Sequence, residues 1–313
     1  MTIEKTERTN LEKFAEELKK ALKQDFVVKL NEPMAPRTTF GVGGNADIFV
    51  EPSDETQLAT VLRLCAAHNV ESYIIGRGSN LLVKDGGIRG VVIHLCGAWF
   101  ERIIVKGVEI ECGAAARLKT LAGEALKHSI SGFEFLEGIP GTVGGALRMN
   151  AGAMGGEIFQ VVRQIKIMEK EGETRWISPQ EAGFVYRGCD RLKSSIALEA
   201  RLIGKPGDRD QIAKKMEEFA AKRRASQPQW RSAGCVFKNP AGYSAGKLID
   251  ELGLKGKKVG GAMVSNEHGN FIVNVGGAKA ADIIELIKII KNEVKTTRGI
   301  ELETEVEIIG EDF

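Results

Sequence analysis

The spacing of apolar residues predicts a chain of mixed helices and strands. Where apolar residues recur every three to four positions, one face of a helix is expected to pack on a core. Where they run together or alternate with polar residues, a strand is expected. The helical pattern is found at residues 9–24, 53–68, 211–224 and 280–297. The strand pattern is found at residues 46–50, 73–75, 91–95, 165–168, 196–202 and 300–308.

The order of these elements indicates more than one domain. A length of 313 residues favours two or three domains. Residues 204–208 (GKPGD) combine turn-forming residues with no periodicity, so a domain boundary is expected there. We therefore predict an N-terminal helical segment over residues 1–34, a first domain over residues 35–204 and a second domain over residues 205–313.

Two glycine-rich segments are the first candidates for a binding site. Glycine lets the backbone approach a ligand, and successive backbone N–H groups in such turns bind anions. One such segment alone is more often a plain turn, but two of them suit a ligand with a pyrophosphate and an extended body, such as a dinucleotide. The first segment contains Gly76, Arg77, Gly78, Ser79, Asn80 and Leu81, and the second contains Gly138, Pro140, Gly141, Thr142, Gly144, Gly145, Asn150 and Gly152.

Composition and charge exclude several classes of partner. The formal net charge of +2 gives no electrostatic case for nucleic acid or an anionic membrane. The N-terminus is polar, and no apolar stretch approaches the length that spans a bilayer. The five cysteines are odd in number and lack CxxC spacing, so neither a disulfide framework nor a metal site is expected. A reducing cytoplasm fits this cysteine usage best.

The two glycine-rich segments carry a resemblance to a known family. Residues 75–83 (IGRGSNLLV) and 137–153 (EGIPGTVGGALRMNAGA) resemble the bacterial UDP-N-acetylenolpyruvoylglucosamine reductases. These flavoenzymes make UDP-N-acetylmuramate for peptidoglycan. The resemblance extends from about residue 37 to the C-terminus, and its separated motifs occur in the order of the family.

The resemblance implies an α+β fold, with an FAD-binding domain of the vanillyl-alcohol-oxidase type and a smaller C-terminal substrate domain. FAD would be bound by the two glycine-rich segments. NADPH would deliver hydride to the flavin N5, and UDP-N-acetylglucosamine enolpyruvate would then accept it. The family's longer form has an extra loop with a tyrosine, and residues 187–194 leave no room for it here. The shorter form is therefore expected, as a monomer.

Three catalytic residues follow from the resemblance. Arg187, after Tyr186, matches an arginine at the substrate's enolpyruvyl group, and its planar fork suits a carboxylate. Cys235 stands where serine is common and would protonate the substrate carbon, although a buried, inert cysteine is the alternative from composition alone. Glu305 matches the first glutamate of the closing motif, among acidic residues that otherwise suggest a solvated strand face.

Substrate-binding residues are also carried over from the family. They are Tyr186, Asn239, Lys255 and His268. Lys255 suits a diphosphate as a point charge. A known relative has an amide at the position of His268, so a structural histidine is an equal alternative there.

Two other functions are consistent with parts of the pattern. A flavin oxidase of the same fold would need a base at the reacting carbon, whereas Cys235, Arg187 and Glu305 would supply an acid. A nucleotide-binding module without catalysis would lack a flavin that NADPH reduces.

Overall fold

A computed structural model describes residues 2–22 and 25–312, with side chains from Asn10 onward. The chain forms two compact units, each assembled from separated segments. The first unit comprises Met1–Asn31, Asp47–Gly76 and Gly90–Ala221. The second unit comprises Glu32–Ala46, Arg77–Arg89 and Lys222–Phe313.

Helices and short strands alternate along the chain. The helices are α1 (Thr2–Leu22), α2 (Glu55–Ala67), α3 (Gly97–Glu101), α4 (Leu118–Lys127), α5 (Val143–Arg148), α6 (Pro179–Ala182), α7 (Arg209–Ser226), α8 (Ala245–Glu251) and α9 (Ala280–Arg298). The strands are β1 (Val27–Pro33), β2 (Asn45–Glu51), β3 (Ser72–Ile75), β4 (Leu81–Val83), β5 (Ile88–His94), β6 (Ile103–Lys106), β7 (Glu109–Gly113), β8 (Ile130–Ser131), β9 (Gly152–Ala153), β10 (Gly156–Glu157), β11 (Val162–Met168), β12 (Thr174–Ile177), β13 (Phe184–Val185), β14 (Gly188–Cys189), β15 (Ile196–Ile203), β16 (Lys205–Pro206), β17 (Lys258–Val259), β18 (Ala262–Val264), β19 (Ile272–Asn274) and β20 (Glu307–Ile309).

The first unit contains two apolar cores. One lies on a five-stranded antiparallel sheet in the order β12-β11-β15-β7-β6, against α4 and α5. The other lies between α1, α2 and the sheet in the order β1-β2-β5-β3, where β3 runs parallel to β5. Buried apolar side chains such as Leu18, Leu58 and Ile93 supply the main stabilising term, because burial removes their surface from water.

The second unit has its own core around α9. The buried face of α9 repeats at helical spacing through Ile283, Ile287, Ile290 and Val294, and the helix ends at Gly299 in the left-handed conformation. This face packs with residues of α8 and of the sheet β17-β18-β19. A separate parallel pair joins β4 to β20.

Several predicted elements are confirmed. The helices predicted at 53–68, 211–224 and 280–297 correspond to α2, α7 and α9. The strands predicted at 165–168 and 196–202 correspond to β11 and β15. The helix predicted from residue 9 begins earlier, at Thr2, and residues 23 and 24 of that prediction lie outside the described residues.

The predicted strand over residues 300–308 is wrong in extent, since only β20 forms there. Thr304 makes an isolated antiparallel bridge with Phe237, whereas β20 pairs in parallel with β4. The segment changes its pairing partner along its length, so its regular alternation of apolar and acidic residues does not correspond to one continuous strand.

Residues 204–208, predicted as a linker, contain regular structure. They contain β16, which pairs with β8, and the backbone N–H of Gly207 donates to Ser129 O at 2.9 Å. The chain passes between the two compact units at five points, the last of which lies between Ala221 and Lys222, within α7. The three-part domain division stays a prediction. Within the described residues, no helix combines the length and apolar character needed to cross a bilayer.

The turn before the second glycine-rich segment depends on a buried carboxylate. Glu134 is 3% exposed and accepts hydrogen bonds from Ser131 Oγ at 2.8 Å and Gly132 N at 2.9 Å. Burial opposes its ionisation, but its hydrogen bonds and the charge of Lys215 outweigh that effect and lower the pKa of Glu134. The ionised carboxylate therefore stabilises the folded chain above the unfolded pKa, and this contribution is lost as the pH falls through the lower, folded value.

We expect Glu134→Gln to reduce the free energy of unfolding by about 1–3 kcal/mol at pH 7, because a buried hydrogen-bonded carboxylate is lost. The difference from the wild type should shrink as the pH falls below the ordinary carboxyl range. Urea unfolding followed by circular dichroism at pH 7 and pH 4 measures both effects. Glu217→Gln, at an exposed position on α7, is the matched control. Equal losses in the two variants would contradict the assignment.

Candidate functional site

The two glycine-rich segments meet in the first unit. Gly76 follows β3 directly, and a Cβ atom added there would lie 2.7 Å from Thr142 Oγ1. Thr142 is the N-cap of α5, where its hydroxyl accepts from Gly145 N at 3.5 Å. Only glycine leaves Thr142 undisturbed, so this contact restricts position 76 to glycine.

The backbone of the second segment is fixed from behind by residues 114–116. Val143 N donates to Ala116 O at 2.9 Å, and Gly144 N donates to Ala114 O at 2.7 Å. Other positions of the segment face outward, since Gly138, Pro140 and Gly145 are exposed. The result is a rigid backbone edge with little side-chain bulk.

Asn150 lies at the inner end of this segment and is 1% exposed. It has a left-handed φ of +40°, and its Nδ2 donates to Glu157 Oε2 at 3.0 Å and to Val185 O at 3.1 Å. Its Oδ1 is buried and has no hydrogen-bond partner among the described residues. An orphaned acceptor of this kind is rare and calls for a donor.

Tyr186 and Arg187 form the turn between β13 and β14. Arg187 has a left-handed φ of +56°, and its Nη2 donates to Gly152 O at 3.4 Å. Its guanidinium lies 4.8 Å from the ring centroid of Tyr186. The first unit therefore brings Asn150, Gly152, Tyr186 and Arg187 into one neighbourhood.

The remaining residues of the first glycine-rich segment belong to the second unit. Gly78 has a left-handed φ of +61°, and a Cβ there would lie 2.9 Å from Thr38 Cα. Thr39 N donates to Gly78 O at 3.1 Å. Arg77 is exposed, Ser79 is half-buried, and Leu81 opens β4.

Backbone hydrogen bonds in the second unit bring Cys235, Glu305 and Asn80 together. Glu305 N donates to the carbonyl of Val236 at 2.8 Å, directly after Cys235. Asn80 Nδ2 donates to Glu305 O at 3.0 Å. Cys235 itself makes an antiparallel bridge with Phe271 and is half-buried. Two of the three predicted catalytic residues thus lie on adjacent backbone segments.

Asn270, which the sequence analysis missed, holds the Cys235 segment in place. Its buried side chain accepts from Phe237 N at 2.9 Å and donates to Phe237 O at 2.8 Å. Its own carbonyl accepts from Val236 N at 2.9 Å. The side-chain amide of Asn270 therefore satisfies both backbone groups of Phe237, as a neighbouring strand would in a sheet. No local sequence signal identifies such an amide.

Arg223 is a second residue that the sequence analysis missed. It lies in the basic last turn of α7 and is half-buried. Burial lowers its pKa, and the negative charge of an ionised Cys235 acts in the opposite direction. A guanidinium thus lies within electrostatic reach of the Cys235 thiol.

The predicted substrate-binding residues of the second unit are distributed around α8. Asn239 is exposed, and its Oδ1 accepts from Ala245 N at 3.0 Å. Lys255 Nζ lies 2.7 Å from Asp250 Oδ2. These contacts leave the nucleotide-binding role of both residues a prediction.

His268 lies within electrostatic reach of Lys255. Its Nδ1 accepts from Asn270 N at 3.1 Å, so the neutral ring carries its proton on Nε2. Burial lowers the pKa of His268, and the charge of Lys255 acts in the same direction. The ring therefore favours the neutral state and offers a donor rather than a charge.

Family comparisons agree with this arrangement. Residues 227–309 match the model of the UDP-N-acetylenolpyruvoylglucosamine reductase C-terminal domain, and residues 46–178 match that of an FAD-binding domain. A UDP-N-acetylenolpyruvoylglucosamine reductase from Clostridioides difficile (strain 630) is 45% identical over 287 residues, which cover 91% of this chain and 94% of the relative. The enzyme of that name from Anoxybacillus flavithermus is 43% identical over 303 residues, covering 96% and 99%.

The chain belongs to the UDP-N-acetylenolpyruvoylglucosamine reductase family. The crystal structure of the reductase from Thermus caldophilus has a TM-score of 0.80 and 38% identity, covering 91% of this chain and 99% of that one. The predicted α+β fold, with an FAD-binding domain of the vanillyl-alcohol-oxidase type and a smaller C-terminal domain, is confirmed. The protein is an FAD-dependent oxidoreductase of peptidoglycan precursor synthesis.

The first unit offers features that fit FAD. The Gly76–Thr142 contact leaves no room for a side chain, and the exposed Gly145 presents backbone without bulk. Such a surface lets an extended ligand such as a dinucleotide approach the backbone closely. The unpartnered Oδ1 of Asn150 is a further acceptor at the end of the same segment.

We expect Gly76→Ala to weaken FAD binding at least tenfold, because the added Cβ would displace the Thr142 hydroxyl from its capping position. Flavin content after dialysis and titration of the apoprotein with FAD measure this loss. Gly123→Ala is the matched control, since Gly123 is exposed in α4 with no atom within 4 Å of an added Cβ. That control should retain FAD, because the added Cβ meets no other atom. Alanine is also more favourable than glycine in a helix, so α4 should remain stable. Undiminished FAD affinity in Gly76→Ala would refute the contact's role.

Proposed function

We propose that this chain reduces UDP-N-acetylglucosamine enolpyruvate to UDP-N-acetylmuramate with NADPH as the reductant. The names and high coverage of the relatives support the substrate. The single observation that carries the mechanism is the hydrogen bond from Glu305 N to Val236 O, which puts the Cys235 thiol and the Glu305 carboxyl group on adjacent backbone segments. We further propose a cytoplasmic location, because none of the five cysteines, all within the described residues, forms a disulfide. A monomer is proposed from the family resemblance alone.

FAD would be bound by Gly76, Thr142, Gly144 and Gly145, together with the residues predicted in the same two segments. When bound, FAD supplies the redox chemistry, by accepting hydride from NADPH and transferring it to the terminal carbon of the enolpyruvyl group. The chain's own residues then have three tasks: to orient the substrate, to stabilise charge and to deliver a proton.

Arg187 is proposed to bind the substrate carboxylate. A guanidinium stays charged and donates two parallel hydrogen bonds to a carboxylate. The contacts of Arg187 with Gly152 and Tyr186 support this role, because they restrict the position of its long side chain. Tyr186 is proposed as part of the same carboxylate-binding turn.

Glu305 and Cys235 are proposed to complete the reduction. Hydride addition places negative charge on the neighbouring carbon and its carboxylate, and a protonated Glu305 would donate a hydrogen bond to the developing enolate oxygen. Cys235 then gives its thiol proton to that carbon, so that one hydride and one proton have added across the double bond. The resulting thiolate would be stabilised by Arg223 until solvent restores the proton.

The UDP portion is proposed to contact Asn239, Lys255 and His268. Lys255 would pair with the diphosphate, and His268 would donate through Nε2, consistent with its lowered pKa. The hydrogen bond from Asn270 to His268 couples this region to the Cys235 segment.

We expect Cys235→Ala to leave flavin reduction by NADPH within about twofold of the wild type. Reoxidation of the reduced flavin by the enolpyruvyl substrate should slow by about 10²–10⁴-fold, the usual contribution of a general acid. Anaerobic stopped-flow absorbance separates the two half-reactions.

Cys235→Ser is the conservative variant and should retain measurable turnover, because a hydroxyl can still deliver a proton. Normal turnover in Cys235→Ala would eliminate Cys235 as the donor. Reoxidation by oxygen but not by the enolpyruvyl substrate would instead identify a flavin oxidase.

A further inference from the structure

We propose that Glu51, His94 and Cys96 form a binding site for a divalent transition metal of the zinc class. One carboxylate oxygen, one imidazole nitrogen and the thiol sulfur of these residues all lie within 4.8 Å of one another. All three side chains are half-buried. The proposed reduction uses none of them, so the site is independent of that function.

Strand geometry explains why these three residues converge. His94 is the last residue of β5, and Cys96 follows two positions later, so an extended chain directs both side chains to the same face. The intervening Leu95 is buried. Glu51 is the last residue of β2, the neighbour of β5 in the sheet. The three ligands therefore come from the adjacent ends of two hydrogen-bonded strands.

The contact between His94 and Glu51 favours a metal-binding arrangement. His94 Nδ1 lies 2.8 Å from Glu51 Oε1, and the two side chains are 23% and 19% exposed. Two donor atoms of the proposed site are thus already close together, and a bound ion would take the place of this contact between them. Partial exposure leaves a path for the ion and room for a water molecule as a fourth ligand.

The set of donor atoms selects the class of metal. A thiolate and an imidazole favour zinc and its neighbours, whereas magnesium and calcium prefer sites made entirely of oxygen. Binding forms a metal–sulfur bond and releases the thiol proton of Cys96 to solvent, with no change of oxidation state. Three protein ligands and one water complete a tetrahedral site.

The other cysteines are poorer ligands, with one exception. Burial raises the pKa of Cys65 and of Cys112 to about 12, and it also raises the pKa of Cys189. Those thiols stay protonated and enclosed. Cys235 is half-buried like Cys96, so it is the competing thiol that an experiment must separate.

Co²⁺, a spectroscopic substitute for Zn²⁺, tests the proposal directly. The flavin-loaded full-length protein is titrated with Co²⁺ alone, and absorption is followed in the red, beyond the bands of oxidised flavin. We expect one equivalent to bind with the intense bands of a tetrahedral site and to be displaced by Zn²⁺. Cys96→Ser should bind at least tenfold more weakly by calorimetry and lose the tetrahedral bands, and His94→Gln should behave in the same way.

Two control variants separate this site from other ligands. Cys235→Ser should bind Co²⁺ as the wild type does. His68→Ala should also bind normally, since His68 pairs with Glu17 at 3.0 Å in a comparable histidine–carboxylate contact. Flavin content and circular dichroism verify that each variant is folded. The proposal is overturned if the wild type shows no saturable binding, if Cys96→Ser and His94→Gln bind normally, or if Cys235→Ser alone loses the bands.

Discussion

The side-chain amide of Asn270 is the contact on which the proposed proton-donating site depends. It pairs with both backbone groups of Phe237, and its own carbonyl accepts from Val236. Since a buried amide without partners is costly, loss of these hydrogen bonds would destabilise the segment. These contacts hold the segment that carries Cys235 in place. The carbonyl of Val236, the residue after Cys235, accepts a hydrogen bond from the backbone N–H of Glu305.

The same hydrogen-bonded region reaches further residues of the second unit. Asn270 donates from its backbone to His268, and Asn80 fixes the carbonyl of Glu305 through its side chain. A residue of a glycine-rich segment and a residue proposed to contact nucleotide thus share one network with the proposed acid groups. Small displacements there would alter proton delivery and substrate binding together, because preorganised donors lose their effect when misplaced.

Periodicity and turn chemistry predicted much of the local structure. The apolar repeat of α9 and the glycine that ends it are local signals, and the structure follows them. The alternation over residues 300–308 predicted one strand, but Thr304 and β20 pair with different partners. Alternation does not indicate which segment a residue pairs with. Residues 204–208 contain two glycines, a proline and an aspartate, which are typical of turns. Part of this segment is nevertheless β16, which pairs with β8, a segment distant in sequence.

In the candidate site, too, local motifs could be predicted from the sequence, whereas contacts between distant segments could not. Motifs predicted Cys235 and Glu305 as catalytic residues, whereas the contacts of Asn270 and Arg223 depend on segments that are distant in sequence. The Glu51–His94–Cys96 cluster was missed for a similar reason, because its spacing resembles no metal motif and only the pairing of β2 with β5 brings it together.

The central claim is tested most directly by the rate at which the enolpyruvyl substrate reoxidises the NADPH-reduced flavin, measured without oxygen in Asn270→Ala. Asn292→Ala, at an exposed position on α9, is the control. If the Asn270 amide positions the proton donor, its loss slows this half-reaction at least tenfold while flavin content and reduction by NADPH are retained, and the control behaves as the wild type. Unchanged reoxidation in a correctly folded Asn270→Ala protein would contradict the account.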